Sequence, residues 1–218
     1  MVSISPKFDS LGLQNPVITY GLGIMGGTFD PIHTGHLACA EAVRESLGLD
    51  GILFIPAGKP WMKNEKDVTE AEHRYEMVKR AIADNPYFDV SRLEIDRPGE
   101  TYTVDTLQAL RAYFPPNVEL FFITGADAVS HIAEWHNAED IPRLAEVVAC
   151  TRPGYEIDPA VEKFFSEHSD FYGITFEEVT GFDISSSDVR NHVRMNESIR
   201  YLTPQPVVDY INKQGLYR

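Results

Sequence analysis

Ile18-Thr-Tyr-Gly-Leu-Gly-Ile-Met-Gly-Gly-Thr-Phe-Asp-Pro-Ile-His-Thr-Gly-His36 decides the reading of this chain. Residues 18–25 form a short apolar run broken by glycines, the pattern of a buried strand. Gly26 and Gly27 lack a Cβ, so the backbone there can turn sharply and come close to a ligand. A helix is expected over 35–47, and Gly51-Ile-Leu-Phe-Ile-Pro56 reads as a second buried strand. Strand, helix and strand in that order make a βαβ unit.

The alternation continues outward. A polar loop over 57–68 is followed by Thr69-Glu-Ala-Glu72, a capping box expected to start a helix that runs to about Ala83. Further strands are expected at 88–95, 120–123, 147–150 and 174–178, with helices near 104–113 and 159–168. Thr103 or Asp105 is the expected cap of the helix at 104–113. A last helix, near 206–214, has a proline in its first turn and stops at Gly215. The fold class is α/β, with a doubly wound, mostly parallel sheet covered by helices on both faces. Residues 1–16 have no period and read as a loose N-terminal extension. Residues 17–218 read as one domain, with a small helical part from about 184.

The composition of the 218 residues is near the globular average, 43% hydrophobic and 24% charged, which excludes fibrous and wholly disordered chains. Nineteen basic against 33 acidic residues give a net charge of −14, a field that repels a nucleic-acid backbone. A small phosphate ligand is still compatible, because a few cations and backbone N–H groups make a local positive site. There is no basic n-region with an apolar stretch behind it and no membrane-length apolar run, so a cytoplasmic protein away from membranes is expected. Cys39 and Cys150 are too few and too distant in sequence to suggest a disulfide framework. Nothing in the composition excludes a homo-oligomer.

In an open parallel sheet, ligands bind at the carboxyl ends of the strands where the winding reverses, which directs attention to 26–36. His33 and His36, three apart at a helix start, share a face above the first-turn N–H groups and suit a polyphosphate. A zinc site built from His33, His36 and Cys39 is weaker, since six residues rotate Cys39 about 600° around the helix and off the histidine face. Ser185, Ser186, Ser187 and Arg190 make a second capped helix start with a cation one turn on, which is either a plain cap or an anion cradle. Gly125 and Asp127 follow a strand, where a carboxylate can accept from a ribose or cap the next helix. Trp135 offers a flat face for stacking or for the core.

The stretch 26–36 resembles the signature of the HxGH nucleotidyltransferase superfamily. In this longer form it is similar to bacterial nicotinate-mononucleotide adenylyltransferases. Ile184-Ser-Ser-Ser-Asp-Val-Arg190 resembles that superfamily's second motif, and Thr101-Tyr-Thr103, Gly125-Ala-Asp127, Trp135, Arg152-Pro-Gly154 and Leu216-Tyr-Arg218 stand in family order. The resemblance runs from about Gly23 to the C-terminus.

The resemblance implies a Rossmann-like fold and adenylyl transfer from ATP, accompanied by Mg²⁺, to nicotinate mononucleotide. It implies catalytic roles for His33, His36 and Arg190, and ATP contacts from Gly26, Gly27, Thr28, Phe29, Gly125, Asp127, Ser186 and Ser187. Acceptor contacts would come from Lys63, Thr103, Trp135 and Arg152. The loop Lys59-Pro-Trp-Met-Lys63 departs from the family pattern, with Trp61 and Met62 where a proline and a histidine are usual. The competing functions are transfer to nicotinamide mononucleotide or phosphopantetheine, a zinc hydrolase, and a non-catalytic nucleotide-binding module.

Overall fold

A computed structural model describes residues 4–60, 68–151, 154, 156, 158–168, 173–179 and 184–218. The described residues form a parallel sheet of six strands: β1 (Tyr20–Gly27), β2 (Gly51–Pro56), β3 (Phe88–Val90), β4 (Val118–Gly125), β5 (Glu146–Thr151) and β6 (Ile174–Glu178). The order β3-β2-β1-β4-β5-β6 places the reversal of winding between β1 and β4. Helices α1 (Thr34–Ser46), α2 (Ala71–Ala81), α3 (Thr103–Tyr113), α4 (Ala126–Val129), α5 (Ile141–Leu144), α6 (Pro159–His168), α7 (Ser186–Arg194) and α8 (Gln205–Gln214) connect and cover the strands. Among them none is long and apolar enough to cross a membrane.

The two-residue period of the strands divides the core. Leu22, Ile24, Leu53, Ile55, Leu120 and Ala149 face α3 and α6, through Val104, Leu107 and Phe164. Met25, Ile52, Phe54, Ile123 and Val148 face the other way, onto Ala40 and Val43 of α1, Met77 and Val78 of α2, Val189 of α7 and Ile211 of α8. Helices therefore bury both faces of a Rossmann-like α/β sheet, as the alternation of elements requires.

Four local expectations are corrected. Residues 4–16 are not loose: Phe8 is buried against the sheet, the Ser5 hydroxyl donates to Asp89 at 2.6 Å, and Tyr113 donates to Asp9 at 2.7 Å. One aromatic side chain with flanking polar contacts anchors a segment that has no period of its own. The strand expected over 88–95 stops at Val90, because Ser91 to Glu94 turn toward α3, where Glu94 accepts from Thr106 at 2.6 Å.

The Thr69 capping box does not form. Glu70 is the cap of α2 and makes no side-chain cap bond, while the Thr69 carbonyl accepts from Arg74 and its N–H donates to Asp30. Finally, Tyr102 caps α3, which makes Thr103 its first helical residue. The first-turn N–H groups of α3 accordingly have no partner within the helix.

Candidate active site

β1 delivers the chain to the switch point, and the loop that follows is held from every side. Arg74 is 1% exposed and donates to the carbonyls of Thr28 (2.7 Å), Ala57 (2.6 Å) and Thr69 (2.8 Å). Burial lowers its pKa, and the nearby Asp30 carboxylate opposes that shift. Asp30 is itself buried and accepts from Tyr217 at 2.6 Å and from the Thr69 N–H at 3.1 Å. From the C-terminal part, Ser186 donates to the Pro31 carbonyl, Thr203 to that of Ile32 and Arg190 to that of Asp30. Three separate elements thus fix the backbone of 28–32.

The loop ends in the two histidines. His33 caps α1, and its backbone N–H donates to His36 Nδ1 at 3.2 Å. Their rings stack with centroids 3.6 Å apart, and Phe29 meets His36 edge-on at 5.2 Å. A neutral His36 that accepts at Nδ1 carries its proton at Nε2, and so can donate there. His33 is 7% exposed with Nδ1 unpartnered, and burial lowers its pKa to about 4, with Asp188 pulling the other way. At neutral pH His33 in the free protein is therefore imidazole, not imidazolium. Cys39 faces away toward Cys150, and among the described residues no three His, Cys, Asp or Glu converge as a metal site.

Arg190 lies beside this loop on α7. Its guanidinium donates to the Asp30 carbonyl at 2.6 Å and to the Ser187 hydroxyl at 3.1 Å, both neutral groups that leave its charge available to an anion. Ser185 is the cap of α7 and forms a reciprocal box with Asp188, while Ser186 is engaged with Pro31. The second motif therefore braces the first as well as extending the site.

An open cavity of about 230 Å³ lies at the carboxyl edge of β1, β2 and β4. Gly26, Gly27, Thr28, Glu94, Thr103 and Trp135 are among its walls. Trp135 is half-buried, edge-on to Phe122 at 6.0 Å, which leaves a ring face for the cavity. Thr103 opens α3 here and brings that helix's unpaired N–H groups to the cavity. Gly125 caps α4 at the end of β4 with φ of −74°, a value open to any residue. A Cβ there would meet no protein atom within 4 Å, and one on Gly26 would meet only Phe122 at 3.6 Å. Neither glycine is required by internal packing, which points to close approach by something from outside. Asp127 is exposed just beyond, with its carboxylate not used as the helix cap.

The structure brings together His33, His36, Arg190, Ser186 and Ser187 in one cluster, and Gly26, Gly27, Thr28, Thr103 and Trp135 around the adjoining cavity. Lys63, Trp61, Met62 and Arg152 lie outside the described residues. Arg74, Asp30 and Tyr217 escaped the sequence reading of the site. Arg74 could have been found, because it shares the apolar face of α2 with Met77, Val78 and Ala81 at spacings that place them on one stripe. A cation on such a stripe requires buried acceptors.

A doubly wound sheet with this histidine-bearing first loop and a second, cation-bearing helix start defines a nucleotidyltransferase. Residues 24–192 match the cytidylyltransferase-like family model. The chain belongs to that family and, within it, to the nicotinate-nucleotide adenylyltransferases. It is 49% identical over 196 residues to a protein of Corynebacterium kroppenstedtii named as a probable nicotinate-nucleotide adenylyltransferase, covering 90% of each chain. A protein of the same name from Moorella thermoacetica is 46% identical over 202 residues, covering 90% of this chain and 91% of that one. The fold is similar to that of Plasmodium falciparum nicotinic acid mononucleotide adenylyltransferase complexed with NaAD. The TM-score is 0.73 at 22% identity, over 91% of this chain and 97% of that one.

Proposed function

We propose that this site transfers AMP from ATP to nicotinate mononucleotide, giving nicotinic acid adenine dinucleotide and pyrophosphate. The observation that carries the reading is the adjacency of two subsites at one switch point: the stacked His33 and His36, and the cavity walled by Thr103 and Trp135. The first suits a polyphosphate and the second suits a flat ring carrying a carboxylate.

An acceptor phosphate oxygen is already anionic, so it attacks the α-phosphorus in line without a general base as pyrophosphate leaves. Catalysis is then positioning together with stabilisation of charge on the α-phosphate and the leaving group. His36 donates through Nε2–H, His33 supports it, and Arg190 supplies the fixed positive charge. Backbone N–H groups of 26–29 complete the cradle, and Arg74 keeps the Thr28 carbonyl turned inward to itself. Ser187 orients Arg190.

Gly125 gives the nucleotide close access to the end of β4, with Asp127 accepting from a ribose hydroxyl. Trp135 stacks on the pyridine ring, and the N–H groups at Thr103 meet its carboxylate, where the α3 dipole favours a negative charge. Lys63 and Arg152 are assigned to the acceptor's phosphate. Mg²⁺ would accompany ATP and would supply neutralisation of the charge on its phosphates. The test is pyrophosphate release with His36→Ala, which should lose at least about 100-fold in kcat while remaining folded by circular dichroism. Full activity in that variant would remove the histidines from the mechanism.

A further inference from the structure

The chain has two cysteines, and the fold brings them into contact across 111 residues of sequence. Cys39 lies about one turn beyond His36 on α1, and Cys150 is the penultimate residue of β5. Their sulfurs are 2.8 Å apart. A disulfide is about 2.05 Å long, so bonding requires an approach of only about 0.8 Å. Both side chains are half-buried and pack against the same apolar cluster, which holds them face to face.

The two thiols differ in character. The Cys150 S–H group holds the Cys39 thiol below its ordinary range, whereas the same contact, burial and the charge of Glu177 push Cys150 up. Of two such thiols, the one that ionises more readily attacks and its neighbour resolves. The location is also particular. Cys150 pairs in register with Gly125, and α1 begins at the two histidines, so a bond here would fasten the histidine helix to the strand beside the ATP side of the site.

We propose that Cys39 and Cys150 form an intramolecular disulfide site, closed reversibly by low-molecular-weight disulfides. The Cys39 thiolate attacks one sulfur of RS–SR. That S–S bond breaks and RS⁻ leaves, taking up the proton that Cys39 gave. Cys150 then loses its proton and attacks the Cys39 sulfur of the mixed disulfide, expelling the second thiol. Two protein thiols are oxidised and RS–SR is reduced to two RSH.

Oxidised glutathione is the probe. The full-length chain is incubated with it, denatured and alkylated, and then analysed by intact mass and peptide mapping. The expected result is a loss of two mass units with neither cysteine alkylated, a linked peptide containing Cys39 and Cys150, no linked dimer, and full reversal by dithiothreitol. Closing so long a loop should raise Tm by roughly 5 °C or more. C39S and C150S should each take at most one glutathione and show no such rise. Two freely alkylated cysteines after incubation, or stable glutathione adducts on both in the wild-type chain, would overturn the proposal. None of these readouts depends on which acceptor the enzyme uses.

Discussion

The Tyr217 hydroxyl donates a 2.6 Å hydrogen bond to the Asp30 carboxylate, joining residues 187 positions apart. Burial and the Asp30 charge raise the Tyr217 pKa, so the phenol remains a donor throughout the working range. Tyr217→Phe removes that donor from a buried carboxylate. The expected cost is about 1–3 kcal/mol in urea unfolding, together with a lower kcat/KM for ATP, because Asp30 sits in the loop that carries the histidines. Unchanged stability would show that Thr69 and Arg74 satisfy Asp30 without it.

Arg74 ties three separate backbone segments together, at Thr28, Ala57 and Thr69. Arg74→Met keeps the length of the stem but leaves the carbonyls of Thr28, Ala57 and Thr69 without their buried donor. A loss of about 3 kcal/mol or more is expected by denaturant titration. Arg74→Lys should recover part of this at most, since an ammonium cannot span the same fork of acceptors. Equal stability of the lysine variant and the wild type would contradict the clamp.

His33 links stability to pH. Its ordinary value is near 6.5 and burial lowers it to about 4 in the fold, so between those values the unfolded chain binds a proton that the folded chain does not. The contribution is complete above about pH 6.5, falls as pH drops toward 4, and amounts to about 3 kcal/mol at most. His33→Asn cannot titrate. Its loss of stability between pH 7.5 and pH 5 should be smaller than that of the wild type by about 2 kcal/mol. Parallel losses in the two proteins would show that His33 titrates normally.

Two substitutions separate the subsites. Gly125→Ala adds a methyl group that meets no protein atom within 4 Å at a permissive φ, so stability should change by less than about 0.5 kcal/mol while KM for ATP rises. Trp135→Ala should raise KM for nicotinate mononucleotide at least about tenfold, with KM for ATP nearly constant. The same shift for both substrates in either variant would contradict the division.

The sheet was legible because strand and helix periods alternate without ambiguity, and the switch point follows from that alternation alone. The histidine pair was legible for a different reason, since two imidazoles at a helix start suit an anion, whereas the second motif read as either a cap or an anion cradle and only the family resemblance decided between them. What escaped was set by tertiary contacts. Phe8 anchors an aperiodic segment only because a gap on the sheet receives it. Thr69 reads as a cap, yet its backbone is taken by Arg74 and Asp30 instead. Cys39 and Cys150 stand far apart in sequence, and only the packing of α1 against β5 makes them neighbours.

The most direct test is pyrophosphate release by EDTA-treated protein supplied with ATP and Mg²⁺, comparing nicotinate mononucleotide, nicotinamide mononucleotide and phosphopantetheine as acceptors. The reading of the cavity at Thr103 and Trp135 predicts that kcat/KM for nicotinate mononucleotide exceeds that for either alternative by at least roughly tenfold. Equal or greater turnover with nicotinamide mononucleotide or phosphopantetheine would contradict it, and no release with any acceptor would contradict the assignment of adenylyl transfer itself.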